Sequence, residues 1–253
     1  MRLSPLRQYL LAAMLWLPLM FALWFALGSV VAYPIVRASH VLVDWIVPGL
    51  LHEANQDYTR LLYSYVVEIS GVQGLPQAAK LLIEEQSVNV LIYAWGMPLF
   101  CGLAAASPLD WKHTFLQWAI GLVVLTLACT FGVTCEVLYA IRDGTANAVT
   151  AALSDQGYAA VAKQAGEAAG TFIAARFDAA GISVDLIALL RQFGYLILPS
   201  VVPISLWILL NRRFLESLVE WNADPASHPD NVPLLECTDA AVLHPDKTPV
   251  DHP

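Results

Sequence analysis

Charge is scarce in this sequence: only 13% of the 253 residues are charged, about half the share of a soluble globular protein. Too few polar side chains are available to clothe a water-exposed surface, and a hydrophobic content of 58% excludes an ordinary soluble domain. Basic residues are scarcer still, with 13 Lys and Arg against 21 Asp and Glu and a formal net charge of -8. That balance excludes a general nucleic-acid binder, which needs a basic face to displace counterions from phosphates. Cysteine is sparse as well. Cys101, Cys129 and Cys135 lie in apolar runs and Cys237 in a polar tail, so no structural disulfide is expected and the thiols read as small hydrophobes. Cys135 precedes Glu136, and an adjacent carboxylate opposes the thiolate that a nucleophile requires. The histidines are scattered, and no H-E-x-x-H or C-x-x-C spacing occurs, so no metal is expected. A P-loop, a dinucleotide fingerprint and G-x-S-x-G are also missing, which leaves no cofactor and no catalytic residue assigned.

What the chain has in quantity is long apolar runs. A spanning helix buries about 20 mostly apolar residues, because the hydrocarbon core is about 30 Å thick. Stretches at about 10–32, 88–106, 115–141 and 186–210 meet that requirement. The first exceeds the apolar core of a secretory signal, about 7–15 residues, so it reads as a retained span with Pro18 inside it. Arg2 and Arg7 precede the first run, Lys112 lies between the second and third, and Arg212 and Arg213 follow the fourth. Basic residues near helix ends mark the cytoplasmic side. The expected fold is therefore an all-α polytopic inner-membrane protein with four spans, both termini cytoplasmic, and outer loops at 34–87 and 142–185. Arg212 and Arg213 read as inner-face charges, with contact to anionic lipid as the more specific alternative.

The outer loops carry patterns of their own. From Ile35 to Leu51 apolar residues recur at helical spacing, as in a helix lying along a membrane surface. Runs at Tyr58–Ile69 and Ala79–Glu85, separated by Gly71, Gly74 and Pro76, read as a small hairpin, with a bent helix pair as the alternative. The second loop is dominated by alanine, the best helix former, and predicts one or two helices between Ala146 and Ala180. Gly166, Gly170 and Ala174 recur every fourth residue there, a spacing for close packing on a neighbouring element or for a dimer contact. Residues 215–253 are acidic and proline-rich, a composition that reads as a disordered cytoplasmic tail.

Two ionisable residues interrupt the membrane runs. Glu136 and Arg191 sit about two turns from the outer ends of the third and fourth spans. A lone charge at the bilayer centre costs about 2.5–3.5 kcal/mol, so such residues seek partners or water. The matched depths predict an ion pair, or a shared pocket with Asn89. It serves either as a lock between helices or, in the alternative, as an outward-facing pocket of a membrane enzyme or small transporter.

Three stretches also resemble a known family. Val88 to Phe100 with its Tyr93-Ala94-Trp95-Gly96-Met97-Pro98 centre, Phe193-Gly194-Tyr195-Leu196-Ile197-Leu198-Pro199 together with Asn211-Arg212-Arg213-Phe214, and Leu15-Trp16-Leu17-Pro18 with Phe21 to Trp24 are similar to the exosortase H-associated membrane proteins of Gram-negative bacteria. The resemblance implies a non-enzymatic accessory role in the inner membrane, in envelope protein sorting, with the lipid bilayer and an exosortase-like membrane enzyme as partners. It supplies no catalytic residues. Gly96, Pro98, Gly194 and Pro199 are expected to act as packing and kink positions, since glycine permits close helix approach and proline bends a span.

Overall fold

A computed structural model describes residues 5–75, 79–108 and 110–216. The chain divides into a unit Met1–Arg212 and a unit Arg213–Pro253, and the sheet and the helices as far as Leu210 belong to the first. Pro76 and almost the whole of the acidic tail lie outside the described residues.

The order of elements is α1 (Pro5–Ala26), α2 (Gly28–Ile46), β1 (Leu51–Asp57), β2 (Arg60–Ile69), β3 (Ala79–Asn89), α3 (Leu91–Ala94), α4 (Gly96–Ala106), α5 (Trp111–Asp155), α6 (Ala159–Ala179), α7 (Val184–Gln192), a π-helical turn (Phe193–Ile197) and α8 (Leu198–Leu210). Three helical stretches, Leu6–Ala26, Trp111–Asp155 and Val184–Leu210, are long and apolar enough to cross a bilayer, and Leu91–Ala106 is apolar but shorter. The protein is mostly helical, with a small sheet.

Several expected boundaries move. The run at 10–32 divides at Leu27, so α1 ends at Ala26 and Gly28 opens α2, which absorbs the first part of the surface helix expected at 35–51. Packing is close at this break: a Cβ at Gly28 would lie 3.0 Å from Thr59 Cγ2 and 3.4 Å from Leu91 Cδ1, so the small residue lets α2 start against the β1–β2 turn and α3. One face of α2, comprising Ala32, Ile35, Val36, Ser39 and Val43, is buried, and Ser39 Oγ donates to the Thr130 carbonyl of α5 at 3.4 Å. The opposite face exposes Val30, Tyr33, Val41 and Trp45. Pro48 and Gly49 end the segment, and Arg176 of α6 donates to both of their carbonyls, at 2.5 and 3.3 Å.

A three-stranded antiparallel meander, β1-β2-β3, stands where a two-stranded hairpin or a helix pair was expected. Asp57 pairs with Arg60 across a two-residue turn in which Tyr58 takes a positive φ of 50°. β1, with the sequence LHEANQD, has little β-propensity of its own; it is an edge strand recruited by β2. Leu61, Tyr63, Tyr65, Val67 and Ile69 alternate into the core, the period-2 pattern of a half-buried strand. β3 runs on to Asn89, which takes Val88 and Asn89 from the expected second span. The helix after it then breaks at Trp95, because Pro98 has no N–H to give the Ala94 carbonyl.

The largest correction is α5. Instead of ending near 141 it continues unbroken for 45 residues, about 67 Å at 1.5 Å per residue. Nothing between Arg142 and Ser154 stops it: Gly144 is tolerated, no proline intervenes, and alanines carry the helix on. It ends at Gly157, whose φ of 89° and hydrogen bond to the Ser154 carbonyl are those of a glycine C-cap. The expected outer loop 142–185 is thus the end of α5 folded against α6. The fourth run begins at Val184, where Ser183 Oγ accepts the Leu186 N–H at 3.3 Å.

Ala162, Ala165, Gly166, Ala169, Ile173 and Phe177 form the buried stripe of α6. A Cβ on Gly166 would collide with Thr150 Oγ1 and the Ala146 carbonyl, whereas one on Gly170 would sit an ordinary 3.4 Å from Ala146 Cβ. Gly166→Val is therefore expected to cost about 2–3 kcal/mol by overpacking. Gly170→Ala should be neutral or stabilising by up to about 1 kcal/mol through helix propensity. Thermal melts of the two detergent-solubilised variants check the contrast; equal melts would show that α6 does not pack on α5 through Gly166.

The sheet meets α5 through Tyr63 and Tyr65, stacked at 6.4 Å, with the Tyr65 and Thr145 hydroxyls sharing a buried hydrogen bond of 3.2 Å. Burial pushes the Tyr63 hydroxyl well above its usual range, and the nearby Tyr65 and Glu136 push it further. Burial raises Tyr65 too, against a smaller lowering by Thr145. A raised folded-state pKa means that the stabilisation is complete below the unfolded value of about 10 and drains away as pH climbs above it. Tyrosinate absorbance is expected to rise together with loss of the sheet above pH about 10. Tyr63→Phe should delay that loss, and an unchanged alkaline transition in this variant would contradict the assignment.

Candidate functional site

At the level where β3 passes into α3, three helices bring their polar side chains together. Glu136 Oε2 of α5 accepts from the Tyr93 hydroxyl of α3 at 2.7 Å and from Arg191 Nε of α7 at 2.5 Å. The Arg191 guanidinium also lies over the Tyr139 ring, 4.6 Å from its centroid, a cation–π placement one turn along from Glu136. The Arg191 side chain is 40% exposed and that of Glu136 18%, so the carboxylate is the inner partner and the guanidinium the outer.

The backbone explains why these groups meet. A Cβ on Gly194 would lie 2.7 Å from Gly132 Cα, so the two glycines let α5 and the π-helical turn touch and bring the helix ends into register. Pro199 cannot donate to the Tyr195 carbonyl and its ring crowds that carbonyl, which is the physical reason the turn from Phe193 to Ile197 widens to π geometry. One helix further in, Gly96 meets Pro199 again: a Cβ there would lie 2.5 Å from the Pro199 carbonyl oxygen and 2.6 Å from Pro203 Cγ. Cys129 Sγ donates to the Tyr93 carbonyl at 3.1 Å and so supports α3.

Asn89 lies beside this cluster without joining its bonds. Its Oδ1 accepts the Leu91 N–H at 3.1 Å, fastening the start of α3. With Ser87, Ile92, Tyr93, Glu136, Arg191, Gln192 and Tyr195 it lines a cleft of about 420 Å³. Among the described residues no group of three or more His, Cys, Asp and Glu could hold a metal ion. The arrangement can clamp three helices, and it can offer the outer edge of a guanidinium to a polar guest; it contains no activated nucleophile.

A second polar cluster ties the opposite ends of the helices. Gln117 and Asn211 exchange amide hydrogen bonds of 3.3 Å, Gln117 Nε2 also donates to the Leu210 carbonyl at 3.3 Å, and Asn211 Nδ2 to the Trp207 carbonyl at 2.9 Å. Trp207 Nε1 donates to Ser107 Oγ at 3.1 Å, and the Trp207 ring stacks on Tyr9 at 5.6 Å. Arg212 and Arg213 come immediately after Asn211 and are exposed. Sequence reasoning missed Tyr93, Tyr139, Gln117 and Trp207. A polar atom at matched depth on a neighbouring apolar run was the available signal for Gln117 with Asn211; Tyr93 carried none, since a tyrosine in an apolar run is common at membrane interfaces.

No curated protein and no solved structure matches the chain. Three helices of spanning length, tied by glycine contacts and by polar pairs at both ends, all lie within residues 3–214. Those are the residues matched by the family model of the exosortase H-associated membrane proteins, and the chain belongs to that family.

Proposed function

We propose that the protein is a multi-pass inner-membrane accessory of an exosortase-type protein-sorting system, acting as a non-enzymatic docking partner. In this reading it has four spans: α1, α3–α4, α5 as far as about residue 141, and α7–α8. The sheet and the α5–α6 hairpin form a small platform on the outer side. Leu91–Ala106 spans about 24 Å at 1.5 Å per residue, and a short span is accommodated by local thinning of the bilayer. Arg7, Lys112, Arg212 and Arg213 supply the basic inner side, and the Tyr9–Trp207, Gln117–Asn211 and Trp207–Ser107 contacts support a common end for all four segments. A reporter fused after residue 214 should read cytoplasmic; a periplasmic reading would leave only three spans.

The observation that carries the accessory reading, beside the family match, is that Glu136 Oε2 accepts from both Tyr93 and Arg191 of its own chain, so one oxygen joins α3, α5 and α7 as a clamp between helices. Photo-crosslinking from Tyr58, which is exposed, tests the partner; Tyr63, in the same outer segment, is buried at 3% exposure and unsuitable. Recovery of an exosortase-like enzyme from Tyr58 and from exposed Tyr158 is expected, and repeated recovery of none would count against the reading. The alternative, an enzyme or small transporter working through the Glu136 and Arg191 cleft, is favoured by the size of that cleft and by the exposed guanidinium.

A further inference from the structure

The cleft beside Arg191 does not end at its polar wall. Asn89, Ile92 and Tyr195 also line a second groove of about 440 Å³, whose other walls are Trp24, Phe25, Leu91, Trp95 and Leu196. A polar compartment with one cation thus opens sideways into an apolar one on the lipid-facing flank of α1, α3 and the π-helical turn, where Phe25 and Leu196 are 66% and 60% exposed. That is the shape of an amphiphile: a headgroup in one compartment and an acyl chain in the other.

From this continuity we infer that the paired grooves bind one anionic glycerophospholipid, with its phosphate at Arg191 and one acyl chain along Trp24, Trp95 and Leu196. The inference rests on the placement of α7–α8 in the bilayer. A guanidinium has five N–H donors, and among the described residues Arg191 commits only Nε, to Glu136, which leaves the two Nη groups for a phosphate in the fork geometry arginine favours. Glu136 is held behind it by Tyr93, so the outer edge of the pair is the positive one. The Asn89 and Gln192 side-chain amides donate to no other group among the described residues and flank the same space, as does Ser87. Interrupted helices with π turns recur at binding sites, and the widened turn here places Tyr195 at the junction of both compartments, edge-on to Tyr93 at 5.9 Å. A zwitterionic headgroup would bring its ammonium against the same guanidinium, which sets the preference for a net negative lipid.

Native mass spectrometry of the detergent-solubilised full chain, titrated with phosphatidylglycerol or phosphatidylcholine, tests this. Wild type should retain one phosphatidylglycerol about tenfold more strongly than phosphatidylcholine, the size of one charge-assisted contact. Ile92→Trp, which fills the junction and leaves the ion pair in place, should abolish the preference. Arg212→Gln with Arg213→Gln, which follow α8 in the chain and line neither groove, should keep it. Should the Ile92 variant fail to fold, brominated-chain phosphatidylglycerol in wild-type nanodiscs should quench tryptophan more than the brominated phosphatidylcholine does, by an amount that shrinks in Trp24→Phe/Trp95→Phe. Equal retention of the two lipids, a preference that tracks with Arg212 and Arg213, or a co-purifying peptide in place of lipid would each overturn the assignment. None of these readouts depends on an exosortase partner, so their failure is distinct from failure of the docking reading.

Discussion

Gly96→Ala is expected to destabilise the protein by about 3 kcal/mol or more, the upper range of overpacking, a loss of roughly 6–12 °C in melting temperature for a chain of this size. The added methyl group would stand 2.5 Å from a backbone oxygen and 2.6 Å from a proline ring carbon. Neither can rotate away: one is main chain within α8 and the other belongs to a closed ring. The helices α4 and α8 would have to part, and packing between close helices is what holds them together where lipid removes the hydrophobic drive. The sign makes the experiment decisive, because glycine to alanine inside a helix ordinarily stabilises by about 1 kcal/mol. Gly144→Ala serves as the contrast, since nothing lies within 4 Å of its would-be Cβ; it should raise the melting temperature. If both alanine variants raise it, the contact between Gly96 and Pro199 is not made.

Arg191→Met is expected to destabilise the protein through the charge it strands. It leaves Glu136 with Tyr93 as its one remaining donor among the described residues. Stranding one member of a buried ion pair costs about 3–5 kcal/mol, and with the Arg191 side chain 40% exposed about 1–2 kcal/mol is the appropriate scale. Glu136→Gln combined with Arg191→Met removes the stranded charge while the amide oxygen still accepts from Tyr93, so the double variant should recover most of the loss. A double-mutant cycle measured by melting temperature or cellular accumulation reads the coupling directly. Additive losses would mean that the two residues do not interact. The same variants separate the functional readings: a double variant that accumulates normally and still supports the exosortase-dependent process marks the pair as a lock. One that accumulates normally yet abolishes that process supports the chemical alternative.

The matched depths of Glu136 and Arg191 were legible because charge in an apolar run is rare and each residue's distance from the helix end can be counted. Gly166 was legible as a packing position for a similar reason, since a four-residue spacing is a local property. Tyr93 was not, because its hydroxyl meets Glu136 only after β3 has set where α3 begins, and β3 ends at Asn89 through its ladder with Arg60. The inner amide pair was half visible: Asn211 stands beside two arginines, but its partner Gln117 lies 94 residues earlier, and no local pattern links them.

Composition and run length alone determined that this is a membrane protein and which three stretches carry its long apolar helices, since hydrocarbon thickness and helix rise set a minimum apolar length for any span. The tertiary structure decided the rest. It divided the first run at Leu27, added the polar strand β1 to a sheet, and put Tyr93 and Arg191 on one carboxylate oxygen. Each of these is set by contacts between segments far apart in the chain, whose energies no local propensity contains.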